Sequence, residues 1–158
     1  MKIFVFILTF IFFTGFNTSY NNISSTQKIN PSGFKLGNEV LLTEKLNLLK
    51  ESRVGIITNQ SGITSEGTLI IDALKDKANI VKIFSPEHGF RGDDNTGNYV
   101  DSQTGINVVS LYGNKKKPSS ADLSDVDVLV YDIQDVGARF YTYVNTLYYC
   151  MEAAVNSN

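Results

Sequence analysis

The sequence has one cysteine, one histidine and three prolines in 158 residues. A lone cysteine cannot close an internal disulfide. Cys150 does not directly follow an apolar run, so it is not a lipid-attachment cysteine. Among Tyr148, Tyr149 and Met151 it reads as a buried apolar thiol. One histidine and one cysteine argue against a zinc site, while a metal with oxygen ligands stays open. No G-x-G-x-x-G follows the first apolar strand, and there is no Walker lysine loop. Without a G-x-S-x-G elbow, an α/β-hydrolase serine is not expected either. No cofactor is expected. Basic residues are sparse apart from the run 115–117, which reads as a solvated loop. The formal charge is −2, so binding to a phosphate backbone, and hence to nucleic acid, is not expected. Internal repeats are absent.

Only one long hydrophobic run is present, and it opens the chain. Lys2 is followed by residues 3–16, apolar except for Thr9, Thr14 and Gly15. One basic residue and a short apolar stretch form the layout of a secretory signal, whereas a membrane span needs about 20 apolar residues. Residues 1–19 are therefore expected to be a signal peptide, with an uncleaved anchor or a buried core helix as the alternatives. The protein is expected to be exported, to the periplasm or the outside, with no stable membrane insertion once the signal is gone. Six of the ten phenylalanines lie in this segment. Losing Lys2 takes the basic residues from 14 to 13 against 16 acidic ones, and the charge from −2 to −3. Residues 20–35, rich in Asn, Ser and Thr, are expected to be a disordered spacer. The folded domain is expected over 36–158.

Within that domain, Leu42, Leu46, Leu48 and Leu49 fall at roughly helical spacing, with Thr43 or Asn38 as possible caps. Four short β-branched or aromatic runs follow: V-G-I-I-T at 54–58, I-V-K-I-F at 80–84, V-V-S-L-Y at 108–112 and V-D-V-L-V-Y-D-I at 126–133. Each is too short for a helix and predicts a strand. Residues 68–74 suit a crossover helix between the first two, which makes a βαβ unit and a parallel pair. Residues 122–124 suit one helical turn, and 142–155 predict the strongest helix. The fold expected is α/β: an open, mostly parallel, Rossmann-like sheet with flanking helices. Aromatics around much of the last helix suggest burial on more than one side. The stretch 90–107 is long for a plain loop.

Ligands of open α/β sheets bind beyond the carboxyl ends of the strands. Here those ends carry Asn59, Gln60 and Ser61, then Glu87, His88 and Arg91, then Gly113 and Asn114, then Asp132, Gln134, Asp135 and Arg139. Glu87 sits between a proline and the only histidine. A carboxyl held against an apolar wall can act as an acid; a surface glutamate capping a turn would look the same. His88 could orient a substrate or simply complete a hydrogen-bonded structure. Asp132 suits the strand end and Asp135 the loop beyond it. Arg139 suits a carboxylate ligand or an ion pair with one of those aspartates. Tyr141 and Tyr143 could stack on a sugar ring or fill the core.

Three strings carry a resemblance. T-N-Q-S-G at 58–62, F-S-P-E-H-G-F-R-G at 84–92 and Y-D-I-Q-D-V-G-A-R-F-Y-T-Y at 131–143 resemble the signatures of the NamZ-type exo-β-N-acetylmuramidases. S-L-Y-G-N-K-K-K-P at 110–118 is similar to that family's loop after the third strand. The resemblance covers about 36–158. It implies a Rossmann-like N-terminal domain and a C-terminal domain that this chain lacks, with the active site between them. It implies hydrolysis of terminal N-acetylmuramic acid from peptidoglycan fragments, so the partners expected are muramic acid saccharides. Glu87 matches the natural candidate for the catalytic acid. Asp135, or less readily Asp132, would then activate water or stabilise the oxocarbenium ion. Arg91 and Arg139 would meet the lactyl carboxylate, with Asn59, His88, Asp132, Gln134 and Tyr141 as further substrate contacts. The class-level alternatives are a non-catalytic glycan-binding module and a nucleotide-dependent enzyme on the same sheet.

Overall fold

The computed structural model describes residues 3–6, 33–86, 89–92 and 97–157, the first of these as backbone alone. Its strands are β1 (Ile3–Phe6), β2 (Arg53–Thr58), β3 (Asn79–Ser85), β4 (Tyr99–Val100), β5 (Asn107–Ser110) and β6 (Val128–Asp132). The helices are α1 (Gly37–Glu44), α2 (Ile70–Leu74), α3 (Ser120–Leu123) and α4 (Tyr143–Val155), with a single 3-10 turn at Leu46–Leu49. The sheet order is β1-β6-β2-β3-β5-β4. All pairs are parallel except β4–β5. This is the open, mostly parallel α/β sheet expected from the four apolar runs.

Alternate strand residues feed two cores, as the two-residue period of a strand requires. On one face, Val54, Ile56, Ile83, Val108, Val128 and Val130 pack with Leu41 of α1 and with Ile70, Ile71 and Leu74 of α2. On the other, Ile57, Phe84, Val109, Leu129 and Tyr131 pack with Leu123 of α3 and with Leu147, Cys150, Ala153 and Ala154 of α4. Burial of both faces explains why the strands read as continuous apolar runs rather than alternating ones. Cys150 is a buried free thiol, its pKa pushed up to about 12 by that burial.

Two local expectations need correction. Neither Asn38 nor Thr43 caps α1. Leu36 takes the cap position and its N–H is met by the Glu39 carboxylate at 2.9 Å, while Asn38 lies inside the helix, buried. The long stretch 90–107 contains an edge strand too short to announce itself, β4, closed onto β5 by a turn. In that turn the Asp101 carboxylate accepts from the Thr104 N–H at 3.0 Å and hydroxyl at 2.6 Å. Ahead of α1, Lys35 pairs with Glu44 at 2.7 Å. Within the initial apolar run, residues 3–6 form β1, paired parallel to β6. Most of the expected signal and spacer, 7–32, lies outside the described residues. Among the described residues no helix is long and apolar enough to cross a membrane.

Candidate functional site at the carboxyl edge

Strand direction brings the carboxyl ends of β2, β3, β5 and β6 to one edge. There the last residues on the α1/α2 face are polar: Thr58 pairs in register with Asp132, and Ser85 with Ser110. All four are buried. The apolar rule of the strands therefore breaks at their final position, on one face only. The Thr58 hydroxyl donates to the Asp132 carbonyl at 2.8 Å. Among the described residues the Ser85 hydroxyl has no partner, although the residue is 2 % exposed. Buried polar groups are nearly always satisfied, which singles this hydroxyl out at the edge.

Among the described carboxyls of the edge, Asp132 stands out as perturbed. It is 8 % exposed. Burial pushes its pKa up to about 6, against a partly offsetting hydrogen bond from Asn38. That bond, Nδ2 to Oδ2 at 3.1 Å, ties β6 to α1, and the same amide donates to the Ile63 carbonyl at 2.9 Å. Nothing in the sequence pointed to Asn38, because the contact spans 94 residues. Gly62 is required beside this carboxyl. A β-carbon there would sit 2.2 Å from the Thr58 hydroxyl and 2.7 Å from the Asp132 carbonyl, which explains the glycine that ends T-N-Q-S-G.

The other candidates divide into members of the frame and presented groups. Asn59 is buried, and its Oδ1 accepts from the Ser61 N–H at 2.9 Å and hydroxyl at 2.5 Å. The Ser61 oxygen in turn accepts from the Gln134 N–H at 2.8 Å. Asn59, Ser61 and the Gln134 backbone thus lace the loop after β2 to the loop after β6, and the Gln134 side chain is left exposed. Asp135 is half-buried, and its carboxylate accepts from the Gly137 N–H at 2.8 Å, a turn-forming contact.

Arg91 belongs to the frame as well. Its guanidinium donates twice to Asp101, at 2.8 and 3.0 Å, and twice to Asp72, at 2.9 and 3.0 Å. It also lies 4.7 Å from the Phe90 ring centre. Gly89 and Gly92 take positive φ, 73° and 79°, and this double left-handed geometry folds Phe90 and Arg91 back onto the domain. Arg91 hydrogen bonding holds the Asp101 carboxyl below the usual carboxylate range. Four donors committed to two carboxylates leave Arg91 fixing the loop to α2 and β4, a correction to its expected role toward a substrate carboxylate. Arg139 is the opposite case. It is exposed and makes no ion pair among the described residues, so the alternative of a pair with Asp132 or Asp135 is not realised. Tyr141 is 48 % exposed, with its ring 6.1 Å from that of Tyr143. Glu87 and His88 lie outside the described residues. Among the described residues no cluster of three or more His, Cys, Asp or Glu could hold a metal ion.

Fold and site together define an α/β domain with a polar, partly unsatisfied edge at the carboxyl ends of a parallel sheet. Residues 54–158 match the family model described as exo-beta-N-acetylmuramidase NamZ, N-terminal, and the chain belongs to that family. It is 43% identical over 137 residues to the peptidoglycan beta-N-acetylmuramidase NamZ of Bacillus subtilis (strain 168), an alignment covering 83% of this chain and 33% of that protein. Two solved DUF1343 family proteins from Bacteroides fragilis NCTC 9343 share the fold. One has a TM-score of 0.73 at 45% identity, covering 78% of this chain and 32% of its own. The other has 0.59 at 42%, covering 70% and 28%. The chain spans about a third of the length of these relatives.

Proposed function

We propose that this domain supplies the sheet-edge part of the active site of a glycoside hydrolase that releases terminal N-acetylmuramic acid from peptidoglycan fragments. The observation that carries the reading is the 43% identity to a peptidoglycan β-N-acetylmuramidase, and the family match over residues 54–158 spans the loops of the carboxyl edge. Such a substrate lies outside the cytoplasmic membrane, so export of the chain, prompted by Lys2 and the apolar run after it, is part of the same proposal.

In this reading Glu87 is the general acid that protonates the leaving oxygen. A second carboxyl is needed to activate water or to stabilise the oxocarbenium ion. Geometry favours Asp132 over Asp135 for that role. A carboxyl whose pKa is raised to about 6 exchanges protons efficiently near neutral pH, and Asn38 fixes its orientation. Asp135 spends an oxygen on its own turn. Arg139, exposed and unpaired among the described residues, is offered to the substrate's carboxylate, and Tyr141 to a sugar face.

Turnover of a muramic acid glycoside by the protein carrying this domain is the test. Glu87→Gln preserves shape but cannot give up a proton, so hydrolysis of a poor leaving group should fall by about 10²–10⁴-fold. An activated aryl glycoside should suffer much less. An undiminished rate on the poor leaving group would remove Glu87 from the mechanism. Binding of the sugar without any turnover would favour the glycan-binding module instead.

A further inference from the structure

We propose that the cavity between the loop after β5 and the first turns of α4 is a subsite for the carboxylate-bearing face of an acidic N-acetylated amino sugar, with Lys116 as the charge partner. The choice of sugar rests on the function proposed above; the site itself rests on geometry. The cavity has a volume of about 340 Å³ and is walled by Leu111, Lys116, Thr142, Asn145, Thr146 and Tyr149 among others. Small-molecule sites run from about 300 to 1,000 Å³, so this one suits a single ring.

Three independent features give it a sign and a polarity. The first is the lysine run. Lys115 pairs with Asp122 at 2.7 Å and Lys117 with Glu152 at 2.9 Å. Lys116 between them is exposed, has no ion pair among the described residues, and borders the cavity. Two lysines anchor the loop and the third is left over. The second is the helix end. α4 is 13 residues long, its N-cap Thr142 makes no side-chain capping bond, and its first turn carries no acid. The first turn itself thus supplies no negative charge to the positive end of the helix dipole where it meets the cavity, a favourable place for an anion.

The third feature lies deeper in the wall. Thr146 is 9 % exposed, yet its hydroxyl finds no partner among the described residues. That hydroxyl is not shut off from solvent, and as Thr146 borders the cavity it can be satisfied from within it. Asn145 adds an amide without a side-chain partner among the described residues, suited to an acetamido group, and Tyr149 adds a ring face. The location fits the candidate chemistry. The Leu111 N–H donates to the Ser85 carbonyl at 2.8 Å, which sets this wall beside the strand end that leads into the S-P-E-H-G string.

The test is an amide-shift NMR titration of the 158-residue chain with N-acetylmuramic acid, and with N-acetylglucosamine, which lacks the lactyl carboxylate. Shifts should centre on residues 111–116 and 142–149. They should saturate with the acidic sugar at a Kd about tenfold lower than with the neutral one, a factor in keeping with one charge-assisted contact. Lys116→Gln should erase that preference, while Lys117→Gln, which removes a lysine already paired, should keep it. No shifts at the cavity, equal binding of the two sugars, or the same response to acetate alone would overturn the proposal. Turnover separates the two readings. An unchanged KM for a muramic acid glycoside in Lys116→Gln overturns the subsite and leaves the hydrolase standing. Selective titration of the cavity without turnover supports the subsite and removes the hydrolase.

Discussion

Two stretches that meet the same edge of the sheet treat their polar and apolar groups in opposite ways. At Phe90, Arg91 and Asp101 the groups turn inward. Phe90 is fully buried, and Arg91 is locked between Asp72 and Asp101. In residues 136–141 and along one side of the helix that follows, they turn outward. Phe140 is 94 % exposed, Arg139 is unpaired among the described residues, and Val136, Tyr141, Val144 and Tyr148 are exposed as well. Two strings with the same ingredients, an arginine beside a phenylalanine, thus serve as frame in one loop and as presented surface in the other. The difference comes from what lies opposite. The first loop faces the carboxylates of α2 and of the β4–β5 turn, whereas nothing described faces the second.

The comparison breaks most sharply at the two arginines. Arg91→Ala would strand a carboxylate that is 4 % exposed and another that is 28 % exposed. Breaking such a buried network costs about 3–5 kcal/mol. Arg139→Ala should stay within about 0.5 kcal/mol, as surface substitutions do. Urea melts of the two variants check this, and equal losses would mean that the contrast is not energetic.

A smaller effect is expected at Asp132, where frame and chemistry coincide. Its folded-state pKa is raised from 3.8 to about 6, so the folded protein holds this proton more tightly than the unfolded chain. That contribution is full below about pH 4 and is lost as the pH climbs through 6. Asp132→Asn removes the buried charge and keeps an acceptor for Asn38. Its stability relative to the parent should therefore rise between pH 4 and pH 8, by up to roughly 3 kcal/mol for a shift of about two units. A flat difference across that range would place the carboxyl in water and not in the wall.

The least effect on folding is expected on the outward side. Val144, Tyr148, Met151 and Val155 are all exposed, and their spacing lines them along one face of α4. Together with Phe140 they form an apolar surface of the kind that promotes association. Phe140→Ser with Tyr148→Ser should leave the melting temperature of the chain within a few degrees and lower its self-association in sedimentation. A large loss of stability would mean that these side chains belong to the core.

Much of this was legible in the order of residues. Four apolar runs separated by helical or polar stretches determine a parallel sheet, because runs buried on both faces cannot alternate. The polar residues after each run follow from the same reading, and the three long strings determine the family. Cys150 is buried among apolar side chains as its neighbours implied. What the tertiary structure decided is which polar groups are already spent. Arg91 and Arg139 look alike in the sequence, and only the approach of Asp72 and Asp101 to the first separates them. Asp132 and Asp135 are three residues apart, and only Asn38, arriving from α1, makes the first the perturbed carboxyl. Likewise, the run at 115–117 reads as a uniform charged loop until Asp122 and Glu152 take its outer members. Local sequence sets strand, turn and side-chain chemistry through neighbours in the chain. The state of a charge is set by the partners and burial that folding brings from tens of residues away.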